Sequence, residues 1–218
     1  AREMRDTFYL GDPDRGGLPE EKVVDSVAQT HEDGWITGSK GWGYKWSHEE
    51  AKKLVLRTHT TATTIRYLSE HKDPPIKVFS VDRAYRNEKV DYKHLAEFYQ
   101  IEGIVMDKNA TLQDLMGTLR EFYSKLGLEG VQFWPCYFPY TEPSAQSTVY
   151  IPELKSWFEL SGMGMFRPEV LRPLDIRYPV LAWGGGLERL IMLKLSVDDM
   201  RFLYKNDLAW IRRTPVCL

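Results

Sequence analysis

Residues 83–103 read RAYRNEKVDYKHLAEFYQIEG. Arg83 and Arg86 stand three apart at one end, Gln100, Glu102 and Gly103 close the other, and the first eleven residues hold six charged side chains. The flanking stretches 76–85 and 95–106 are rich in β-branched and aromatic residues, which predicts two antiparallel strands joined by a charged loop, 86–93. Alternate residues of a strand share a face. His94, Phe98, Gln100 and Glu102 therefore fall together, opposite Leu95, Glu97, Tyr99 and Ile101; in the first strand Ser80, Asp82, Ala84 and Arg86 oppose Phe79, Val81, Arg83 and Tyr85. Paired as a hairpin, one face could display Arg86, His94, Gln100 and Glu102 around Phe98, a set able to hold a phosphate, an ammonium group and an aromatic or apolar body. Taken by itself, the alternation favours the plainer alternative of a solvated face with cross-strand ion pairs.

Working outward, 47–59 predicts a helix with Ser47 as N-cap and Glu50 completing a capping box, and helical spacing continues over 58–69. Residues 111–126 predict a helix capped by Thr111 with Asp114 three positions on. Strand-like runs occupy 131–139, 149–160 and 178–183, the glycines at 184–186 open a helix reaching residue 195, and 197–212 forms a last one. The turn-rich segments 11–19 and 34–46 read as ordered loops, since a flexible linker has no use for tryptophan. Hairpin strands among scattered helices predict an α+β fold with an antiparallel sheet.

The 218 residues make one large domain or two small ones, enough to bury roughly 70 to 75% of the unfolded surface without staples. At 43% hydrophobic and 28% charged the composition is that of a soluble globular protein. The net charge of -2 makes the chain a poor general nucleic-acid binder. Cys136 and Cys217 are in no metal-like spacing, and a reduced cytosolic setting explains them more simply than a disulfide. The apolar runs are too short for a membrane span or signal peptide, so a cytoplasmic location with no membrane partner is expected. The chain starts at Ala1 without methionine, which suggests a piece of a longer polypeptide.

Three further clusters stand out. WGGGLERL, residues 183–190, is not a P-loop, because no Gly-Lys-Ser/Thr follows, and Arg189 stands where a dinucleotide fingerprint needs its third glycine. A cation in the first helical turn opposes the helix dipole, a conflict that an anion gathered by Arg189 and the helix N-terminus together would remove. A pairing of Arg189 with Glu188 explains it as well. In ELSGMGMFRPEV, residues 159–170, Gly162 and Gly164 alternate along a strand and leave room on that face, as a bulge also would. In YFPYTEPS, residues 137–144, Phe138 and Tyr140 share a face, where core packing is the simpler reading.

The order of these pieces resembles motifs 2 and 3 of the class II aminoacyl-tRNA synthetases: a strand-loop-strand with Arg86, then QIEG, then a glycine-rich strand-to-helix turn ending in Glu188-Arg189. Within that class the chain is similar to the catalytic α subunits of the archaeal and eukaryotic cytosolic phenylalanyl-tRNA synthetases. Eight segments carry the likeness in order: AREMRDTFYL (1–10), GWGYKW (41–46), LRTHTTATTIRYL (56–68), residues 84–103, YFPYTEPS (137–144), GMFRPEVL (164–171), LAWGGGLERL (181–190) and DMRFLYKNDLAWIRR (199–213).

The resemblance implies the class II catalytic fold, an antiparallel sheet flanked by helices, across residues 1–218, with the motif 1 helix and an N-terminal tRNA-binding extension lying before Ala1. It implies activation of L-phenylalanine by ATP with Mg²⁺, transfer to tRNA(Phe), and a β subunit in an α2β2 heterotetramer. Arg86 matches the arginine on the α-phosphate and carboxylate, where a planar fork is better than lysine. Arg189 matches the motif 3 arginine at the γ-phosphate, Glu88 the contact to the adenine amine, and His94 a histidine near the phosphates; Glu159 is the candidate Mg²⁺ ligand. Gln100 and Glu102 match the pair receiving the α-ammonium, with His59 and Thr61 nearby. Phe98, Phe138 and Tyr140 sandwich the substrate ring, Ala182 forms the pocket floor, and Gly162 and Gly164 make space. Lys89 and Lys93 are placed to meet the tRNA end. Ser161 departs from a position where relatives often carry glycine. A noncatalytic paralogue and an amide-forming ligase using the same adenylation are the alternatives.

Overall fold

The computed structural model describes residues 4–152 and 155–215. Its centre is a six-stranded antiparallel sheet in the order β1-β2-β6-β5-β4-β3, built from β1 (Ile76–Tyr85), β2 (Glu97–Met106), β3 (Gln132–Pro135), β4 (Thr141–Ile151), β5 (Ser156–Phe166) and β6 (Val180–Gly186). The β1–β2 hairpin pairs Ser80 with Glu102, Asp82 with Gln100 and Ala84 with Phe98, as the alternation requires. Arg83 lies on the other face, ion-paired to Glu97 at 2.9 Å and donating to the Tyr99 hydroxyl at 3.2 Å.

Seven α-helices flank the sheet among the described residues: α1 (Glu21–Asp33), α2 (His48–Ala51), α3 (Thr61–Glu70), α4 (Leu112–Lys125), α5 (Pro168–Leu171), α6 (Leu187–Leu195) and α7 (Leu208–Arg213). Helix α4 starts where the capping box predicts, with Thr111 and Asp114 satisfying each other's backbone amides. Its Leu115, Leu119 and Tyr123, spaced by four, are buried against Val149, Met163 and Leu181 on one sheet face. The opposite face packs Ile104, Met106, Val180 and Ala182 against Leu68 of α3 and Leu171 of α5. Both faces of the sheet are thus covered along much of their length. No helix among the described residues is long and apolar enough to cross a membrane.

Several predicted elements need correction. Ser47 does cap α2, accepting from the Glu50 amide, but the helix ends at Ala51, and Lys53 and Val55 leave it to bridge Arg15 and Tyr9. The second segment becomes helical only from Thr61. The run 149–160 is two antiparallel strands, β4 and β5; both are β-rich, so composition hides the reversal between them, and residues 153–154 lie outside the described set. The run 197–212 breaks into a 3-10 helix, Met200–Tyr204, and α7: Asn206 takes a left-handed φ of 54°, and Asp207 recaps the chain by accepting from the Trp210 amide. The three glycines before α6 finish β6 rather than forming a turn, with Gly184, Gly185 and Gly186 opposite Glu102, Ile101 and Gln100. Helix α1 has no counterpart in the sequence reading; it stops at Gly34, whose φ of 88° is the usual left-handed helix end. The first three residues of AREMRDTFYL, and Cys217, lie outside the described residues.

Candidate active site

On the face carrying Phe98, Gln100 and Glu102 the packed core stops partway along the sheet, and an open cleft of about 910 Å³ begins. That is the size of an ordinary small-molecule site. Every residue given a place at a site by the sequence lines it except Gly164 and Lys89.

The cleft floor is electrostatically unusual. Glu102 is 4% exposed and Gln100 5%, so the alternative of a solvated, ion-paired face does not hold. Glu102 accepts from the hydroxyls of Thr60 at 3.2 Å, Thr61 at 2.6 Å and Thr64 at 2.5 Å, and from the Gln100 amide at 3.4 Å. Among the described residues no lysine or arginine is ion-paired to it. Burial therefore pushes its carboxyl above the usual range, while the threonine hydroxyls pull it back. The start of α3 is aimed here as well: the Thr60 amide donates to Gln100 Oε1 at 3.4 Å, and an anion near a helix N-terminus is favoured by the dipole. Thr60 takes the N-cap position of α3, yet its side chain makes no capping bond, because the hydroxyl is engaged with Glu102.

One end of the cleft is aromatic. Phe138 and Tyr140 lie with their rings near parallel at a 16° interplanar angle and centroids 6.2 Å apart, and His59 meets Tyr140 edge-on at 6.3 Å. Ala182 lies beneath, 7% exposed. The two glycines do not leave room in the manner expected. A Cβ on Gly162 would come within 2.6 Å of the Phe138 ring, and one on Gly164 within 2.6 Å of Thr141 and of the Pro143 carbonyl. Protein atoms take that space, so the glycines let Phe138 and Thr141 sit down on β5. The face of Phe98, which lines the same cleft, is covered by the Arg86 guanidinium at 4.7 Å.

The other end is cationic. Arg86 donates from Nε to the Thr58 carbonyl at 3.3 Å while stacked on Phe98, which fixes the plane of its fork. Arg189 reaches back from α6 to β5, donating to the Glu159 carbonyl at 3.4 Å and standing 3.5 Å from its carboxylate. It does not pair with Glu188. Glu159 is half exposed, and no cluster of three or more potential metal ligands occurs among the described residues. His94 turns toward Asp91 at 3.0 Å at the half-exposed rim. Glu88 and Lys93 line the same cleft.

Four lining or supporting groups escaped the sequence reading. Thr60 and Thr64 were signalled only by the threonine-rich THTTATT, residues 58–64, in which i and i+4 spacing puts both on the Glu102 side of α3. Trp42, 57% exposed at the cleft, sits in the 34–46 loop, anchored by its amide donating to the His31 carbonyl at 2.7 Å. Glu188, 3% exposed, shows in the sequence only as the alternative partner of Arg189.

A buried carboxylate floor, an aromatic end and two guanidinium groups now share one face of an antiparallel sheet. Comparison with known proteins agrees with that architecture. The family model described as tRNA synthetases class II core domain (F) matches residues 1–214. The chain is 55% identical over 217 residues to a protein of Methanopyrus kandleri named phenylalanine–tRNA ligase alpha subunit, covering 99% of this chain and 41% of that protein. Proteins with the same name from Archaeoglobus fulgidus and Methanothermobacter thermautotrophicus are 55% and 53% identical, each matched over 99% of this chain and 45% and 42% of their own lengths. The chain thus spans less than half the length of these curated relatives. With the match running from the first residue to the last helix of the described fold, the chain belongs to the class II tRNA synthetase core domain (F) family.

Proposed function

We propose that the chain is the catalytic core of an enzyme that activates L-phenylalanine with ATP as phenylalanyl-adenylate and passes the acyl group to tRNA(Phe). The carrying observation is Glu102: a buried carboxylate ringed by hydroxyls, in one cleft with an aromatic end and two arginines. Relatives that match 99% of the chain bear the name of this activity.

In this reading the α-ammonium of phenylalanine sits at Gln100 and Glu102. Threonine hydroxyls can turn from donating to accepting, so Thr61 follows the incoming charge without moving its oxygen. The benzyl ring lies by Phe138, Tyr140 and Ala182, with His59 at the edge. Phe138 and Ala182, beside the ring, offer a para hydroxyl no acceptor. A buried unpaired hydroxyl costs about 1 to 3 kcal/mol, which favours phenylalanine over tyrosine modestly. The substrate carboxylate is its own nucleophile. It attacks the α-phosphorus of ATP, the bond to the bridging oxygen breaks, and pyrophosphate leaves. The protein then needs only to align the reactants and meet the charge growing on the phosphoryl oxygens, which Arg86 does at the α-phosphate and carboxylate and Arg189 at the γ-phosphate. Glu88 serves the adenine amine and His94 the phosphate rim. In the second step a ribose hydroxyl of the tRNA terminus attacks the acyl carbon and AMP leaves, with Lys89 and Lys93 facing the nucleic acid.

Mg²⁺ takes few protein ligands and completes its shell with phosphates and water. A single half-exposed carboxylate beside the phosphate-binding arginine suits that habit, so Glu159 would hold the ion, which supplies charge neutralisation between phosphate oxygens. The name of the relatives, an alpha subunit, supports a β subunit as partner; an α2β2 heterotetramer in a cytoplasmic setting belongs to the same proposal. The 218 residues form the catalytic domain, with motif 1 and the tRNA-binding extension outside them.

Phenylalanine-dependent exchange of pyrophosphate into ATP, measured with the partner subunit present, tests the reading; equal exchange with and without phenylalanine would overturn it. Substituting Gly162→Ala pushes a methyl into Phe138. The KM for phenylalanine should rise about tenfold, roughly what one misplaced methylene is worth in an apolar pocket, while the KM for ATP stays put.

A further inference from the structure

Glu188 is a buried acid to which the proposed chemistry gives no task. It is 3% exposed, lines the cleft, and leaves Oε2 without a hydrogen-bond partner among the described residues. Its Oε1 accepts from the Tyr99 amide at 2.7 Å and from the Tyr204 hydroxyl. Three wall segments therefore meet at one oxygen. The β2–β6 pairing ends at Gln100 opposite Gly186, because Leu187 already belongs to α6. The next residue of β2 outward, Tyr99, has lost its strand neighbour, and the Glu188 side chain supplies the missing acceptor. Tyr99 lies between the cleft residues Phe98 and Gln100, and Glu188 directly precedes the cleft residue Arg189. From behind, Tyr204 ends the 3-10 helix whose first residue, Met200, lines the cleft and donates its amide to the Tyr92 carbonyl at 2.9 Å, in the loop between β1 and β2. The Tyr204 hydroxyl is pushed far above its ordinary range by burial and by the Glu188 carboxylate, so it stays a donor.

We propose that Glu188 is a positioning residue, fixing Arg189 relative to Phe98 and Gln100 by carrying the β2 ladder past the point where β6 turns into helix. The inference rests on the reading above for what is being positioned, but not for the contact itself. As an acid in the first helical turn, Glu188 also offsets the unfavourable placing of Arg189 against the dipole. An ordinary structural carboxylate would hold the fold; this one sets an offset between two substrate-facing groups, and displacing a reacting group by about 1 Å can cost roughly a hundredfold in rate.

The variants E188A, E188Q and Y204F, made in the full-length chain assembled with its partner, separate these roles. The Tyr99 amide in E188A should exchange with solvent at least about tenfold faster than in the unmodified protein, while Ile104 and Met106 keep their protection. Glutamine retains an acceptor for the Tyr99 amide, so E188Q should keep its thermal midpoint, its Kd for phenylalanine and its kcat of pyrophosphate exchange within about threefold, whereas E188A should keep that Kd within about threefold yet lose roughly ten- to a hundredfold in kcat. Tyr204 is outside the cleft, and Y204F should show the same split more weakly. Unchanged protection of Tyr99 in E188A, unchanged kcat in both E188A and Y204F, a kcat in E188Q as low as in E188A, or a kcat loss that only follows the loss of folded protein would each overturn the proposal. Should the unmodified protein show no phenylalanine-dependent exchange while the Tyr99 amide still responds, the activity reading falls and the positioning contact stands.

Discussion

Replacing Glu102 by glutamine is expected to raise the thermal midpoint of the ligand-free protein and to weaken phenylalanine binding at least about a hundredfold, the loss that follows when a buried charge-assisted contact of roughly 3 kcal/mol disappears. Both effects have one cause. Glu102 is 4% exposed with hydroxyl and amide donors but, among the described residues, no paired cation, so its ionised form is held in a place that disfavours charge. Its folded pKa is raised by burial, which means the folded state binds the proton more tightly than the unfolded chain. The stability this group contributes is then fully present below the ordinary glutamate pKa, and it is lost as pH rises through the folded value. As the pH rises through that folded value, the ligand-free protein takes on the cost of the buried charge. Glutamine removes the charge, and its amide can still exchange hydrogen bonds with Thr60, Thr61 and Thr64. A gain of about 1 kcal/mol corresponds to roughly 2–4 °C in a chain of this size. Melting the two proteins between pH 4 and 8 checks the sign: the midpoints should converge at the acid end and separate toward neutrality. Converging at the alkaline end would show that the carboxylate is a stabilising group, and a glutamine variant that binds phenylalanine normally would remove Glu102 from the ammonium site.

Arg86→Ala is expected to lower phenylalanine-dependent pyrophosphate exchange by a factor of about a thousand or more, the scale set by deleting a preorganised donor at a developing charge. Arg86→Lys should recover little of it, because a lysine cannot present two parallel donors to phosphate and carboxylate at once. The guanidinium is held before any ligand arrives, stacked 4.7 Å above Phe98 and tethered to the Thr58 carbonyl, so it meets the transition state without reorganisation. Direct binding of phenylalanine by calorimetry should weaken only about tenfold, far less than exchange falls, since the carboxylate contact is lost while Glu102 and the aromatic end are left intact. Exchange that persists in Arg86→Ala at the rate of the unmodified chain would place the phosphate-binding charge elsewhere in the cleft.

How much of this was legible beforehand differs from element to element. The β1–β2 hairpin and α4 could be read from the sequence because their signals are local: strict alternation with a charged turn, and a capping box ahead of a four-residue apolar repeat. Around 47–59 and 197–212 the sequence predicts helices longer than those observed, because propensity extends a helix until something stops it. The stops came from bridges to Arg15 and Tyr9 and from the left-handed Asn206, neither of which shows in periodicity. The roles of the glycines were inverted for the same kind of reason. Alternating Gly162 and Gly164 announce free space on β5, but only the fold reveals that Phe138 and Thr141 occupy it.

The sequence by itself determined the family, the hairpin and which side chains share its face, since strand alternation and motif order are properties of the chain alone. It could not decide whether Gln100 and Glu102 face water or a cleft, because burial depends on what distant segments lay across the sheet. The tertiary structure decided that. Helix α3, some forty residues earlier in the chain, brings its threonines onto Glu102, and Glu188, 89 residues after Tyr99, takes the amide that the sheet leaves behind. Both contacts are long-range hydrogen bonds to a carboxylate withdrawn from solvent, and it is that withdrawal which turns the charged stretch 83–103 from a solvated face into a binding floor.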